Sequence, residues 1–186
     1  YSIEAGSAHL ADTYLTPLHY DGWHSAVSYS RTQAMGFDPE RWSMRLSLGG
    51  AVDHTQNPAR NATMWNFDIE ASWGMTRRFR VSEALSAGVG GYTSLNVGAL
   101  YLSRNGNNPA SAKGAWVVGV SGAATYAMRV GRLPVTWGVT AAMPLTGVFF
   151  SPQYGQLYYE IYLGDRRGLT HAAWPGSYRR IDTRVW

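Results

Sequence analysis

The sequence predicts an all-β chain folded as an up-and-down antiparallel transmembrane β-barrel, and two observations carry that prediction. Large apolar residues alternate with small or polar ones over segments long enough to cross a bilayer as tilted strands. The composition is also short of charge: charged residues make up 15% of the 186 residues, against roughly 25% in ordinary soluble domains, while aromatics reach 13%. A chain of this length is read as one domain over residues 1–186.

The alternation is clearest from Trp42 onward, where Trp42, Met44, Leu46, Leu48 and Val52 share one face and Ser43, Arg45, Ser47, Gly49, Ala51 and Asp53 the other. The stretch from Trp65 to Thr76 repeats it, Trp65, Phe67, Ile69, Ala71, Trp73 and Met75 opposing Asn66, Asp68, Glu70, Ser72, Gly74 and Thr76. Trp116, Val118, Val120, Ala124, Tyr126, Met128 and Val130 alternate with mostly small residues, and Trp137, Val139, Ala141 and Met143 oppose Thr136, Gly138, Thr140 and Ala142. In the N-terminal part Trp23, Val27 and Tyr29 oppose His24, Ser28 and Ser30.

Alternation alone does not say which face points outward, so a soluble barrel or a sandwich with an apolar interior is the competing reading. A polar face meeting water would carry Lys and Glu. Here it is Gly, Ala, Ser and Thr with a few charges, and Lys113 is the only lysine. Small residues and forked arginine–carboxylate pairs fill a narrow lumen, leaving Trp42, Leu46, Trp65, Phe67, Trp73, Trp116, Tyr126 and Trp137 to face lipid, with aromatics near strand ends as interfacial girdles.

Eight crossings follow, at residues 1–9, 22–34, 40–53, 63–77, 84–103, 113–130, 135–143 and 178–186. Connections alternate short with long, as barrels of this kind require. The short ones are Gly36 to Glu40, Arg77 to Glu83 and Gly131 to Pro134; the external ones are Leu10 to Asp21, His54 to Asn61, Arg104 to Ala112 and a long segment at about 144–177. Arg77, Arg78 and Arg80 are read as a charged turn, and Gly88, Gly90 and Gly91 as a bend or bulge rather than a phosphate loop. No signal peptide precedes Tyr1, as expected of a secreted chain after processing. The absence of cysteine removes disulfides and thiolate metal sites.

The run Asp12-Thr13-Tyr14-Leu15-Thr16-Pro17-Leu18, with Ser151-Pro152-Gln153-Tyr154-Gly155-Gln156 and Tyr158-Tyr159-Glu160-Ile161-Tyr162, resembles an uncharacterised family of Bacteroidota-type outer-membrane β-barrels. The likeness covers most of the chain. It implies a location in the outer membrane of a Gram-negative bacterium, in contact with lipid and lipopolysaccharide, and implies no activity. Members of that family continue past Trp186 by about one strand pair, so the resemblance implies ten strands where the chain itself closes with eight.

Candidate sites are few. Arg45, Asp53, Asp68, Glu70 and Arg129 are expected to point inward and pair across the lumen as an electrostatic plug; an ion path lined by them is the functional alternative. Asp53 and His54 look like half of a hydrolytic dyad, yet adjacent strand residues point to opposite faces. His9, His19, His24 and His171 show no ligand spacing, and no nucleophile elbow occurs, so no catalytic, cofactor or metal site is expected. Asn61-Ala62-Thr63 is taken as a chance sequon. The segment from Phe149 to Tyr162 is read as a loop folded over the barrel mouth, its Tyr hydroxyls and Glu160 bonded to lumen groups; the functional alternative makes Tyr154, Tyr158 and Glu160, joined by Tyr14 and Pro17 of the first external loop, partner-contact residues.

The leading functional expectation is a non-enzymatic accessory or structural subunit that packs against another outer-membrane protein. A narrow channel for small solutes is the first alternative, and an enzyme acting on lipid or peptide through His54 or His171 the second. Without basic residues clustered among stacking aromatics, nucleic acid is not an expected partner.

Overall fold

The computed structural model describes residues 1–106, 108–150, 171–173 and 182–185. Seven long strands run in chain order: β1 (Ser2–Asp12), β2 (Thr16–Ala34), β3 (Trp42–Gln56), β4 (Thr63–Arg80), β5 (Leu85–Leu102), β6 (Ala110–Val130) and β7 (Leu133–Phe150). Each pairs antiparallel with the next, giving one meandering sheet. Two short segments, β8 (His171–Ala173) and β9 (Asp182–Val185), both lie against β7, opposite Phe149 and Val139 respectively.

The sheet curls, and its concave face carries the small and polar residues. On that face the Lys113 ammonium of β6 reaches the Asp12 carboxylate at the end of β1, with β2 to β5 between them in the sheet. Of the expected closed barrel of eight full crossings, the described residues form seven, in an open, curled half-barrel. β1 is hydrogen-bonded to β2 alone among the described residues, and the last expected crossing, 178–186, is represented there by the four-residue β9.

Proline placement explains why the strand ends differ from expectation. The seventh crossing, expected to stop at 143, continues through Pro144 to Phe150 because the ladder shifts register there: Gly119 pairs with Pro144 and Val118 with Thr146, leaving Leu145 as the extra residue of a bulge. A bulge accommodates a residue with no N–H to give. Residues 144–150 are therefore strand, and the remainder of the expected external segment lies outside the described residues except for β8.

The first link is likewise no long loop. The Asp12 carboxylate accepts from the Tyr14 N–H at 2.8 Å, and the Leu15 N–H bonds Asp12 O at 3.1 Å, so the chain reverses within residues 13–15. Pro17 is tolerated because β2 pairs with β3 only from Asp21 onward. The β3–β4 turn is closed by the Asn57 side chain, whose Oδ1 accepts from the N–H groups of Asn61 and Ala62, with Arg60 at φ 53°.

The tight first reversal breaks the expected alternation of short and long connections at the N-terminal end, while 57–62, 81–84, 103–109 and 131–132 still run longer, shorter, longer, shorter. The β2–β3 link, 35–41, is longer than the β1–β2 and β3–β4 turns, 13–15 and 57–62. β5 pairs on both sides without a register shift through Gly88–Gly91, so no bulge interrupts it. The glycine that matters there is Gly90, where a Cβ would stand 1.9 Å from Met75 O. Arg77, Arg78 and Arg80 end β4 rather than forming a turn.

Candidate functional site

Cross-strand register sets the chemistry of the concave face. His24 pairs with Asp53, and Asp53 with Asn66, so the three side chains stand in one row. His24 donates from Nδ1 to Asp53 Oδ1 at 2.5 Å, and Asn66 Nδ2 donates to Asp53 Oδ2 at 2.9 Å. Both carboxylate oxygens are thereby held. Beside this row Asn96 Nδ2 donates to Asp68 Oδ1 at 2.6 Å. Lys113, which pairs with Gly98 on β5 and so stands two strands from Asp68, turns instead to Asp12 Oδ2 at 2.9 Å.

Above this polar layer the mouth formed by the 13–15, 57–62 and 103–109 connections is apolar. Leu15, Tyr20, Ala62, Met64, Leu100 and Leu102 form a buried cluster, with Leu10 and Tyr14 packed against it. Met64 is wholly buried, and the equally buried Thr55 gives its hydroxyl hydrogen to Met64 O at 3.0 Å. Leu15 reaches this cluster because the tight turn after Asp12 folds it inward. At ~25 cal/mol per Å² of apolar area withdrawn from water, each such side chain contributes on the order of 2 kcal/mol to holding the turn down.

Lower down the lumen, Tyr92 lies between two glycines that are its cross-strand partners, Gly74 and Gly119. A Cβ at Gly119 would come within 2.5 Å of the Tyr92 ring, so glycine is what lets the phenol ring lie flat over β6. Hydroxyl groups line the face beside it, with Ser30, Ser47, Ser72 and Ser94 in one row.

The expected lumen charges Arg45, Asp53, Asp68, Glu70 and Arg129 all fall on this face by register, but the partners of the two aspartates are not the arginines. Asp53 is held by His24 and Asn66, Asp68 by Asn96, and Arg45 donates to Ser30 Oγ at 3.3 Å. His24, Asn66, Asn96, Lys113, Asp12 and Tyr92 are the site residues missing from the sequence reading. Period-two alternation assigns a face, whereas the meeting of His24 with Asp53 is a matter of register: the β2–β3 turn is expected at Gly36 to Glu40 and spans 35–41, but alternation does not say which residues of two strands stand opposite.

On the convex face stand Trp42, Leu46, Trp65, Phe67, Trp73, Trp116, Tyr126 and Trp137, in register rows that include the exposed Val27, Leu48, Ile69, Leu95 and Val97. Phe67 is 50% exposed and Trp116 52%. The Trp116 indole N–H is given to Thr93 Oγ1 at 2.8 Å, and Thr93 passes its own hydrogen to Val117 O at 3.0 Å. His54 is also on this side, stacked near Trp23 and meeting Trp65 at 4.5 Å between centroids. It faces away from Asp53, as alternation requires. Of the expected contact residues, Tyr14 packs into the mouth rather than projecting from it, because its turn is tight and inturned; Pro17 is exposed on β2. Tyr154, Tyr158 and Glu160 lie outside the described residues, and of His171 only the strand pairing of its backbone is described.

Among the described residues no group of three or more His, Cys, Asp or Glu stands together as a metal site. A family profile matches residues 1–176. The chain belongs to the family described as "Protein of unknown function (DUF3316)". No curated protein and no solved structure matches it. For this DUF3316 chain the half-barrel, its polar layer and its covered mouth are therefore the basis for a functional reading.

Proposed function

We propose that this DUF3316 protein is an integral outer-membrane β-barrel protein of a Gram-negative bacterium of Bacteroidota type, with a plugged lumen, serving as a non-enzymatic accessory or structural subunit beside another outer-membrane protein. One observation carries the reading: a band of large apolar side chains on the convex face of β2 to β7, to which β1 adds Ile3, with small and polar groups behind it. Contiguous exposed apolar patches on soluble monomers rarely exceed a few hundred Å², whereas barrels need such a band to meet hydrocarbon. The internally satisfied Trp116 N–H fits a side chain with no water beside it. The apolar cluster at the mouth supports a plug rather than a conducting pore.

Fractionation of cells expressing the full chain tests this. The protein is expected in the outer-membrane fraction, resistant to carbonate extraction, and to co-purify in fixed ratio with another membrane protein after mild solubilisation. Recovery in a soluble fraction would end the reading.

The pair His24–Asp53 favours a second reading, hydrolysis at the concave face. A carboxylate held on both oxygens fixes the ring so that Nε2 serves as general base toward a water. Loss of an esterase or amidase activity of the purified protein in His24→Gln, with the fold kept, would support it; equal activity in wild type and variant would remove it.

A further inference from the structure

Charge is distributed unevenly along the strand direction. The end formed by the 35–41, 81–84 and 131–132 connections carries Arg41, Arg77, Arg78, Arg80, Arg129 and Arg132, all exposed. Only three acids share that end, Asp38, Glu40 and Glu83. At the mouth, by contrast, Asp12, Asp21 and Asp53 stand against Arg60, Arg104 and Lys113. None of the six arginines forms an ion pair with a described residue. Asp38 is engaged in receiving the Arg41 N–H, Arg78 donates to Pro39 O at 3.0 Å, and Arg77 lies 5.2 Å over the Phe79 ring. Six arginines against three carboxylates leave this rim with an excess of three positive charges, which favours an anion among them.

We propose that this rim binds the anionic phosphate headgroups of the surrounding bilayer. The proposal rests on the membrane reading above and names what one end of the barrel touches. Charge complementarity selects an anion, and position selects a lipid. By alternation Arg78, Arg80 and Arg129 stand on the concave side of this rim and Arg41 and Arg132 in its turns, while Arg77 stands where the apolar convex band ends, beside Phe79 and the aromatic pair Phe37 and Trp42, whose rings are 6.0 Å apart. Amphipathic aromatics and cations occupy that height at a membrane interface. Trp42 is the cross-strand partner of Arg77, so ring and guanidinium emerge together on the convex side. A guanidinium fork takes two phosphate oxygens at once.

Native mass spectrometry of the full chain in uncharged detergent, with phosphatidylglycerol or phosphatidylcholine added in equal amount, tests it. Retention of phosphatidylglycerol over phosphatidylcholine is expected. The preference should fall roughly fivefold for each arginine neutralised near the surface in the series Arg41→Gln, Arg77→Gln, Arg132→Gln. Arg77→Lys keeps the charge and should keep most of the preference, which separates lost binding from a damaged fold. Equal retention of the two lipids overturns the proposal while leaving the barrel intact. Displacement of phosphatidylglycerol by inorganic phosphate at matched concentration also overturns it, since the rim would then take any phosphate. A chain that needs no detergent to stay dispersed fails the membrane reading instead.

Discussion

The Lys113 ammonium on β6 and the Asp12 carboxylate at the end of β1 lie 2.9 Å apart across the hollow of the sheet, Asp12 almost wholly buried and Lys113 about one-third exposed. Asp12 also holds its own turn through the Tyr14 N–H. One side chain thus shapes the first reversal and ties it to the far side of the curl. Replacing Lys113 by Met leaves a buried carboxylate without its cation, which costs about 3–5 kcal/mol when such a pair is broken from one side. Asp12→Asn keeps an oxygen for the turn and removes the charge. Urea titration in detergent micelles should place Lys113→Met well below Asp12→Asn in stability.

The glycines beside Tyr92 give a second expectation. Gly119→Ala drives a methyl against the Tyr92 ring and Met143 O, both at 2.5 Å, whereas at Gly114 a Cβ meets nothing nearer than 3.9 Å. The first substitution should destabilise by about 1–3 kcal/mol as overpacking and the second by much less. Parallel unfolding of the two variants checks the difference.

Much of this arrangement was legible in the residues. Alternation around Trp42–Val52 and Trp65–Thr76 assigns both faces, because a strand's side chains have a period of two whatever lies around them. Pairings between strands were not legible. His24 meets Asp53 through a register fixed by the ends of β2 and β3, and those ends depend on the turn at 35–41 and on side chains such as Asn57 that close the next one. The seventh crossing runs past its expected end at 143 because a bulge on β6–β7 carries the ladder through Pro144. Closure into a barrel depends on contacts between the ends of the sheet, and no local pattern encodes them.

A third expectation separates the two faces. Ile69 is 62% exposed on the convex side of the sheet, and the neighbouring Glu70 is on the concave side. If hydrocarbon covers the convex face, Ile69→Arg costs about 2–4 kcal/mol in folding into lipid vesicles. Ser47→Arg, on the concave side, should cost less. Equal effects of the two would count against lipid contact at Ile69.

The Asp53 network gives a fourth. Asp53→Ala leaves His24 and Asn66 each short of the acceptor they now bond, at about 1–3 kcal/mol for each polar group left unsatisfied in a buried place. Asn66→Ala removes one donor and leaves the His24 contact, so it should cost less. Proton exchange of the His24 ring N–H, followed by NMR in micelles, should be slow in wild type and in Asn66→Ala but fast in Asp53→Ala.

The extra residue at Leu145 reverses parity within a single strand. Below it the odd-numbered Val139 and Met143 look outward, and above it the even-numbered Val148 does, in line with Trp116. Deleting Leu145 would set Pro144 and Thr146 next to each other opposite Gly119 and Val118, an unbroken ladder in which Val148 still looks outward beside Trp116. The surplus residue is thus absorbed where it stands, and the backbone beyond it that receives β8 keeps the facing of a regular strand.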